Sequence, residues 1–163
     1  MEHIVHPLAP FYQADSEILI LGSFPSVKTR ETGFFYGHPQ NRFWKVLAAV
    51  FGESEARTLP AKKNFLLRHK IALYDVIIEC DIRGSSDASI RNAKPTDLRG
   101  LLDTSHITRI FVNGQCAGKM YRQYQEPLLQ KKALVLPSTS PANARWTLPM
   151  LVEAWQVIRS NEI

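Results

Sequence analysis

The chain has almost no cysteine: only Cys80 and Cys116 occur, and neither belongs to a Cys-x-x-Cys pair. Two thiols cannot ligate an iron–sulfur cluster by themselves, and these read as reduced, mostly buried side chains. No apolar run approaches the ~18 residues that a membrane span needs. The stretch Met1–Pro7 has neither the basic region nor the apolar core of a signal peptide, so a cytoplasmic location is expected. Gly-x-Ser-x-Gly, Gly-x-x-x-x-Gly-Lys, Gly-x-Gly-x-x-Gly and zinc-ligand spacings are all missing. Familiar nucleophile, nucleotide-loop and metal constellations are thereby set aside. The chain also lacks internal repeats, low-complexity stretches and linkers.

What is present suits an ordinary globular protein. With 163 residues, 45% of them hydrophobic, residues 1–163 are expected to form one domain whose core needs neither disulfides nor metal. The net charge of +5 and pI near 9.4 favour a polyanionic partner, provided that basic residues border the site.

The chain is organised around the stretch from Ile18 to Trp44. Ile18–Leu21 is a short apolar run ended by Gly22, which predicts a strand buried on both faces. Gly22 and Pro25 bend the backbone, with the small polar Ser23 and Ser26 beside them. An aromatic loop follows (Phe34, Phe35, Tyr36, then Gly37, His38, Pro39), and a helix is predicted from about Asn41 to Phe51, closed by Gly52.

Residues 1–17 read as a peripheral lead-in, with His3 and His6 at the surface. Thr58 and Pro60 open a second helix, and Ile71–Ile78 reads as a second buried strand carrying Asp75. Residues 79–95 are polar and turn-rich and read as a long loop. A short helix bearing Leu98, Leu101 and Leu102 comes next. Then follow a strand Arg109–Val112, a helix through Ala117 and Tyr121, a strand Ala133–Leu136, and a last helix opened by Thr147 and Pro149. Strands alternating with helices imply a mainly parallel sheet covered on both faces.

Ligands of such sheets bind beyond the carboxyl ends of the strands. That rule gathers Gly22–Ser26, Asp75, Asn113-Gly114 and Pro137–Arg145 at one edge. The polar side chains there are Asp75, Asn113, Ser138, Ser140 and Asn143, joined by Asn41 at the helix start. They can hydrogen-bond a heterocycle or hold a water. Spacing alone leaves Asn41 open between this role and a helix cap. Asp75 is equally open between ligand and loop backbone, and Phe24, Phe35 and Tyr36 between ligand and core.

Three blocks, Leu-Gly-Ser-Phe-Pro-Ser (21–26), Gly-His-Pro-Gln-Asn-Arg-Phe-Trp (37–44) and Leu-Pro-Ser-Thr-Ser-Pro-Ala-Asn (136–143), resemble the uracil-DNA glycosylase superfamily. The nearest likeness is to its hypoxanthine-DNA (deoxyinosine) glycosylase branch. The second block is also similar to the mismatch-specific uracil and thymine glycosylases. The resemblance implies a three-layer α/β/α sandwich with a central four-stranded, mainly parallel sheet. It also implies a nucleotide flipped into a pocket at the strand ends.

In the superfamily's first motif an Asp or Asn before the proline positions the attacking water; here that place is Phe24. The hypoxanthine branch ascribes the task to the asparagine of the second block, which is Asn41 here. By the same resemblance Asp75 reads the base edge, Phe24 or Phe35 stacks on the base, and Gly22, Ser23, Pro25 and Asn113 complete the base pocket. Backbone N–H groups of residues 23–26 are candidate donors to the base. Ser26, Lys28, Ser138, Ser140, Pro141, Asn143 and Arg145 fall to the DNA-binding surface, with Arg30, Arg42 and Arg83 as further candidate phosphate contacts.

No lysine stands in a nucleophile position, so simple hydrolysis to an abasic site is expected, without cofactor or metal. The expected partner is DNA containing a deaminated base, bound by a monomer, with no membrane contact. The alternatives are the same fold acting on uracil or a mismatch, and a non-catalytic binder of nucleic acid.

Overall fold

The computed structural model describes residues 1–159, so the expected 1–163 domain has its last four residues outside the described residues. In chain order, a short strand β1 (Glu2–Val5) precedes β2 (Ile18–Gly22), α1 (Val27–Thr32), α2 (Phe43–Phe51), α3 (Leu59–Arg68) and β3 (Ile71–Asp75). Next come β4 (Ile77–Ile82), β5 (Arg91–Pro95), α4 (Arg99–Asp103), β6 (Arg109–Asn113), α5 (Gln115–Tyr124), α6 (Glu126–Leu129), β7 (Leu134–Leu136) and α7 (Leu148–Trp155).

β3, β2, β6 and β7 pair in that order into a sheet that is parallel throughout. Every residue of β2 and of β3 is buried. Because successive strand side chains point to opposite faces, both faces of the sheet must be covered. The cover is helical: α3 packs against β3, α5 against β6 and β7, and α2 against α7. The result is the expected three-layer arrangement.

The predicted helix ends follow their chemistry. Thr58 and Thr147 cap α3 and α7 by accepting the backbone N–H of Ala61 and Met150. Gly52 closes α2 in the left-handed conformation, φ 68°, where its N–H reaches the carbonyls of Ala48 and Ala49.

Three readings of the sequence need correction. The run Ile71–Ile78 is not one strand, because the chain leaves the parallel sheet at Val76. There the Val76 N–H donates to Gly22 O (2.8 Å), and its carbonyl accepts from Thr96 N–H (2.9 Å) and from the buried Gln125 amide (3.1 Å). The side chain stays buried, so the apolar pattern runs on unbroken across the switch. Residues 79–95 are not a loop: β4 and β5 form an antiparallel hairpin around a 3₁₀ turn at Asp87–Ser89. Residues 1–17 are not peripheral either, since β1 pairs antiparallel with the other edge of β4.

The polar residues that suggested a loop are cross-strand partners on a solvated face. Asn92 donates to Asp81 (2.7 Å), Lys94 lies 3.3 Å from Glu79, and the His3 ring bridges Asp81 and Glu79 at 2.7 Å each. This second sheet, β1–β4–β5, springs from the point where β3 ends. Its turn folds back over the carboxyl ends of the parallel strands. There it forms one wall of a cavity.

Candidate active site

A cavity of about 370 Å³ opens at the carboxyl ends of β2, β3 and β6. Its lining includes Gly22, Ser23, Phe24, Pro25 and Ser26 from the turn after β2, Phe35 and Asn41 from the aromatic loop, and Asp75 and Asn113 from strand ends. Ser138, Ser140 and Pro141 close it from the loop after β7. The predicted residues are therefore brought together, with three exceptions. Asn143 lines an adjoining cavity, where its amide donates to Ser138 O (3.0 Å). Lys28 and Arg145 lie on exposed surface outside both cavities; Lys28 is 3.7 Å from Glu31.

The asparagine at the helix entrance is held by two donors. Asn41 Oδ1 accepts from Phe43 N–H (2.9 Å) and from the Thr139 hydroxyl (2.8 Å). A backbone N–H can only donate, so the atom facing it must be the amide oxygen. Asn41, one residue ahead of the N-cap Arg42, thus both satisfies the first N–H of α2 and lines the pocket: with its oxygen occupied, the Nδ2 hydrogens remain for the cavity. Thr139 is itself fixed by Asn113, whose Oδ1 accepts the Thr139 N–H and whose Nδ2 donates to Thr139 Oγ1, each at 3.0 Å. The sequence reading singled out Ser138 and Ser140 and passed over the fully buried threonine between them. Thr139 is the link between the two motifs.

Arg42 needs a correction of role. It was a candidate phosphate contact, but its guanidinium faces inward and holds the 138–146 loop. It donates to the carbonyls of Trp146, Ser140 (2.9 Å) and Asn143 (3.1 Å). Arg30 is engaged in the same way, donating to Gly84 O (2.8 Å) on the hairpin turn. We predict that Arg42→Met destabilises the fold by roughly 3 kcal/mol, since three carbonyls lose a charged donor. A denaturant titration with unchanged slope measures it.

Asp75 and His6 form a buried pair, correcting the surface placement of His6. His6 Nε2 lies 2.7 Å from Asp75 Oδ2, and both side chains are almost wholly shielded from solvent. Rings of Tyr74, Phe24 and Phe35 surround the imidazole, with Tyr74 stacked at 4.6 Å. Asp75 Oδ1 lies over Gly22, where a Cβ would come within 2.5 Å of it. Only glycine lets the carboxylate approach the turn this closely. No sequence signal marks His6, because β1 delivers it from 69 residues away.

Tyr36 stacks on Phe43 with centroids 3.9 Å apart and adopts a left-handed φ of 54°, uncommon for a residue with a side chain. Its buried hydroxyl makes no hydrogen bond. Burial, and then the charge of Asp75, raises its pKa well above the ordinary tyrosine range. It is a neutral, buried donor beside the pocket.

Asp87 is the other residue missed, hidden in what read as loop. From the hairpin turn it reaches the end of β2 and accepts the Ser23 hydroxyl (2.8 Å). Ser85 beside it accepts Val27 N–H (2.9 Å). Burial raises the Asp87 carboxyl above its usual range, the charge of Asp75 adds to this, and the Ser23 bond opposes it. A raised folded-state value means that the native protein binds the proton more tightly than the unfolded chain. The charge therefore costs stability in full above the folded pKa, and the cost fades as pH falls towards the ordinary ~3.9. We predict that Asp87→Asn raises the melting temperature by about 2 °C at neutral pH, with the gain vanishing in acid.

An aromatic-walled pocket with a carboxylate at its floor and a hydroxyl-rich loop at its rim can take a planar heterocycle. Fold and site together define an α/β/α protein with a ligand pocket at the strand ends. The comparisons with known proteins make the family specific. The model of the uracil DNA glycosylase superfamily matches residues 9–159, and the chain belongs to that family.

Among similar curated proteins is a hypoxanthine DNA glycosylase of Methanosarcina acetivorans, 36% identical, with 82% of this chain and 84% of that protein covered. Another, of Methanosarcina barkeri and bearing the same name, is 30% identical, covering 83% and 86%. A solution NMR structure of a candidate uracil DNA glycosylase from M. acetivorans superimposes with TM-score 0.77. It is 28% identical, with 94% of this chain and 97% of that one covered.

Proposed function

We propose that this protein is a monofunctional DNA glycosylase that hydrolyses the N-glycosidic bond of deoxyinosine and releases hypoxanthine. The choice of base rests on one observation: both Methanosarcina relatives carry that name over more than four-fifths of this chain. The pocket chemistry supports it. Hypoxanthine presents N1–H as a donor, and Asp75 Oδ1 stands in the cavity without a hydrogen-bond donor among the described residues. Adenine presents a lone pair at N1 and is repelled by a carboxylate. Phe24 and Phe35 supply apolar walls.

In the reaction the C1′–N9 bond breaks and its electron pair leaves with the purine. Water adds to C1′, and the water's proton ends on the base. The transition state carries positive charge on the sugar and negative charge on the base. Asn41 Nδ2 grips the attacking water by its oxygen, leaving a lone pair for C1′. A neutral amide is a poor general base, so most of the acceleration falls to donors that receive the charge of the departing base. The backbone N–H of Phe24, free of any partner among the described residues, is one such donor.

At the rim, Ser138 and Ser140 accept the N–H of Ser140 and Ala142, which leaves each hydroxyl hydrogen for a phosphate. Ser26 Oγ caps α1 through Thr29 N–H (3.1 Å) at the same rim. With Pro141, Asn143, Lys28 and Arg145 these form the proposed DNA surface.

The test uses enzyme in excess over duplexes carrying one deoxyinosine, one deoxyuridine or no lesion, followed by hot alkali and a sizing gel. Scission at deoxyinosine, appearing only after alkali, is expected. Scission at deoxyuridine alone moves the base to uracil within the same family. Retardation of the deoxyinosine duplex without any alkali-labile site makes the protein a binder.

A further inference from the structure

We propose that His6 is a positioning residue for base recognition: its Nε2–H holds Asp75 Oδ2, which leaves Oδ1 as the acceptor facing the base. The proposal deepens the deoxyinosine reading and rests on it. The direction of the hydrogen bonds fixes the proton. Leu8 N–H lies 3.1 Å from His6 Nδ1 and can only donate, so Nδ1 is the bare nitrogen and Nε2 carries the hydrogen. Nε2 lies 2.7 Å from Asp75 Oδ2, so that oxygen accepts. The other oxygen is pinned over Gly22 and has no protein donor among the described residues.

The pair is also held rigidly. The His6 side chain has 0% exposure and that of Asp75 6%, and the Tyr74 ring stacks on the imidazole. The chain before His6 is anchored because β1 pairs with β4, and His6 N–H donates to Ile78 O (2.8 Å). The second sheet thus carries a donor into the floor of a pocket built by the first. Without it the Asp75 carboxylate would be free to turn its oxygens away from the base edge.

The experiment compares wild type with His6→Phe, which keeps a ring between Tyr74 and Phe24 but removes both nitrogens. Single-turnover cleavage of deoxyinosine is expected to fall about ten- to a hundredfold, the effect of losing a hydrogen bond to a charged group. Affinity for undamaged duplex should not change. His6→Gln, whose side-chain amide can still donate to Asp75 Oδ2, is expected to recover much of the rate that His6→Phe loses. A merely structural histidine would lower stability in both variants, and Gln would not rescue the rate selectively.

An equal rate in a folded His6→Phe protein would overturn the proposal while leaving the glycosylase reading intact. Imidazole nitrogen shifts of the wild-type protein at about pH 8 test it without any activity. The Nε2–H tautomer is expected, and the Nδ1–H tautomer would overturn the proposal even in an active enzyme.

Discussion

Asn41→Ala is expected to reduce single-turnover cleavage of a deoxyinosine duplex by at least about a thousandfold, with binding of that duplex retained. Truncation removes the Nδ2 donor from the cavity together with the Oδ1 acceptor of Phe43 N–H and the Thr139 hydroxyl. Loss of the cap should also lower stability by about 1 kcal/mol, far too little to explain a rate effect of that size. Asn41→Asp separates donor from cap. An aspartate keeps the two accepted bonds and replaces the cavity-facing donor with an acceptor, so it should fold like wild type and cleave poorly. Undiminished cleavage by Asn41→Ala would remove the residue from the reaction.

The second large effect is expected at the pocket floor. Asp75→Asn should lower cleavage of deoxyinosine by about a hundredfold or more, because the amide cannot choose its orientation freely. His6 Nε2–H requires an acceptor, so the amide oxygen must turn to it and the NH₂ group must face the base. A donor then meets N1–H, and both groups stay unpaired in a buried site. Hypoxanthine and uracil should suffer alike, since each presents a ring N–H. Kinetics on both lesions check this. A selective loss on one of them would mean that Asp75 does not face that edge.

Much of this was legible in the sequence. The unbroken apolar run Ile18–Leu21 encoded a doubly covered strand, and Gly52, Thr58 and Thr147 marked helix ends where they fall. The rule that ligands sit beyond parallel strand ends gathered Gly22–Pro25, Asp75, Asn113 and the 138–141 loop at one cavity.

The second sheet was not legible, for reasons the structure makes plain. β5 reads Arg-Asn-Ala-Lys-Pro and is mostly exposed, so it has neither apolar alternation nor β-branched residues. β4 inherits its apolar start from the same run as β3, and only the backbone bonds of Val76 reveal the change of sheet. The site residues that escaped notice act across long sequence separations. His6 meets Asp75 69 residues on, Asp87 meets Ser23 64 residues back, and Thr139 meets Asn41 98 residues back. Local pattern carries no information about such pairs.

The measurement that tests the central claim most directly is mass spectrometry of the products from a deoxyinosine duplex cleaved in heavy-oxygen water. The account predicts free hypoxanthine and an unbroken strand whose abasic sugar has gained one heavy oxygen. Release of deoxyinosine as a nucleotide, a strand broken before any alkali treatment, or a duplex recovered unchanged would contradict it.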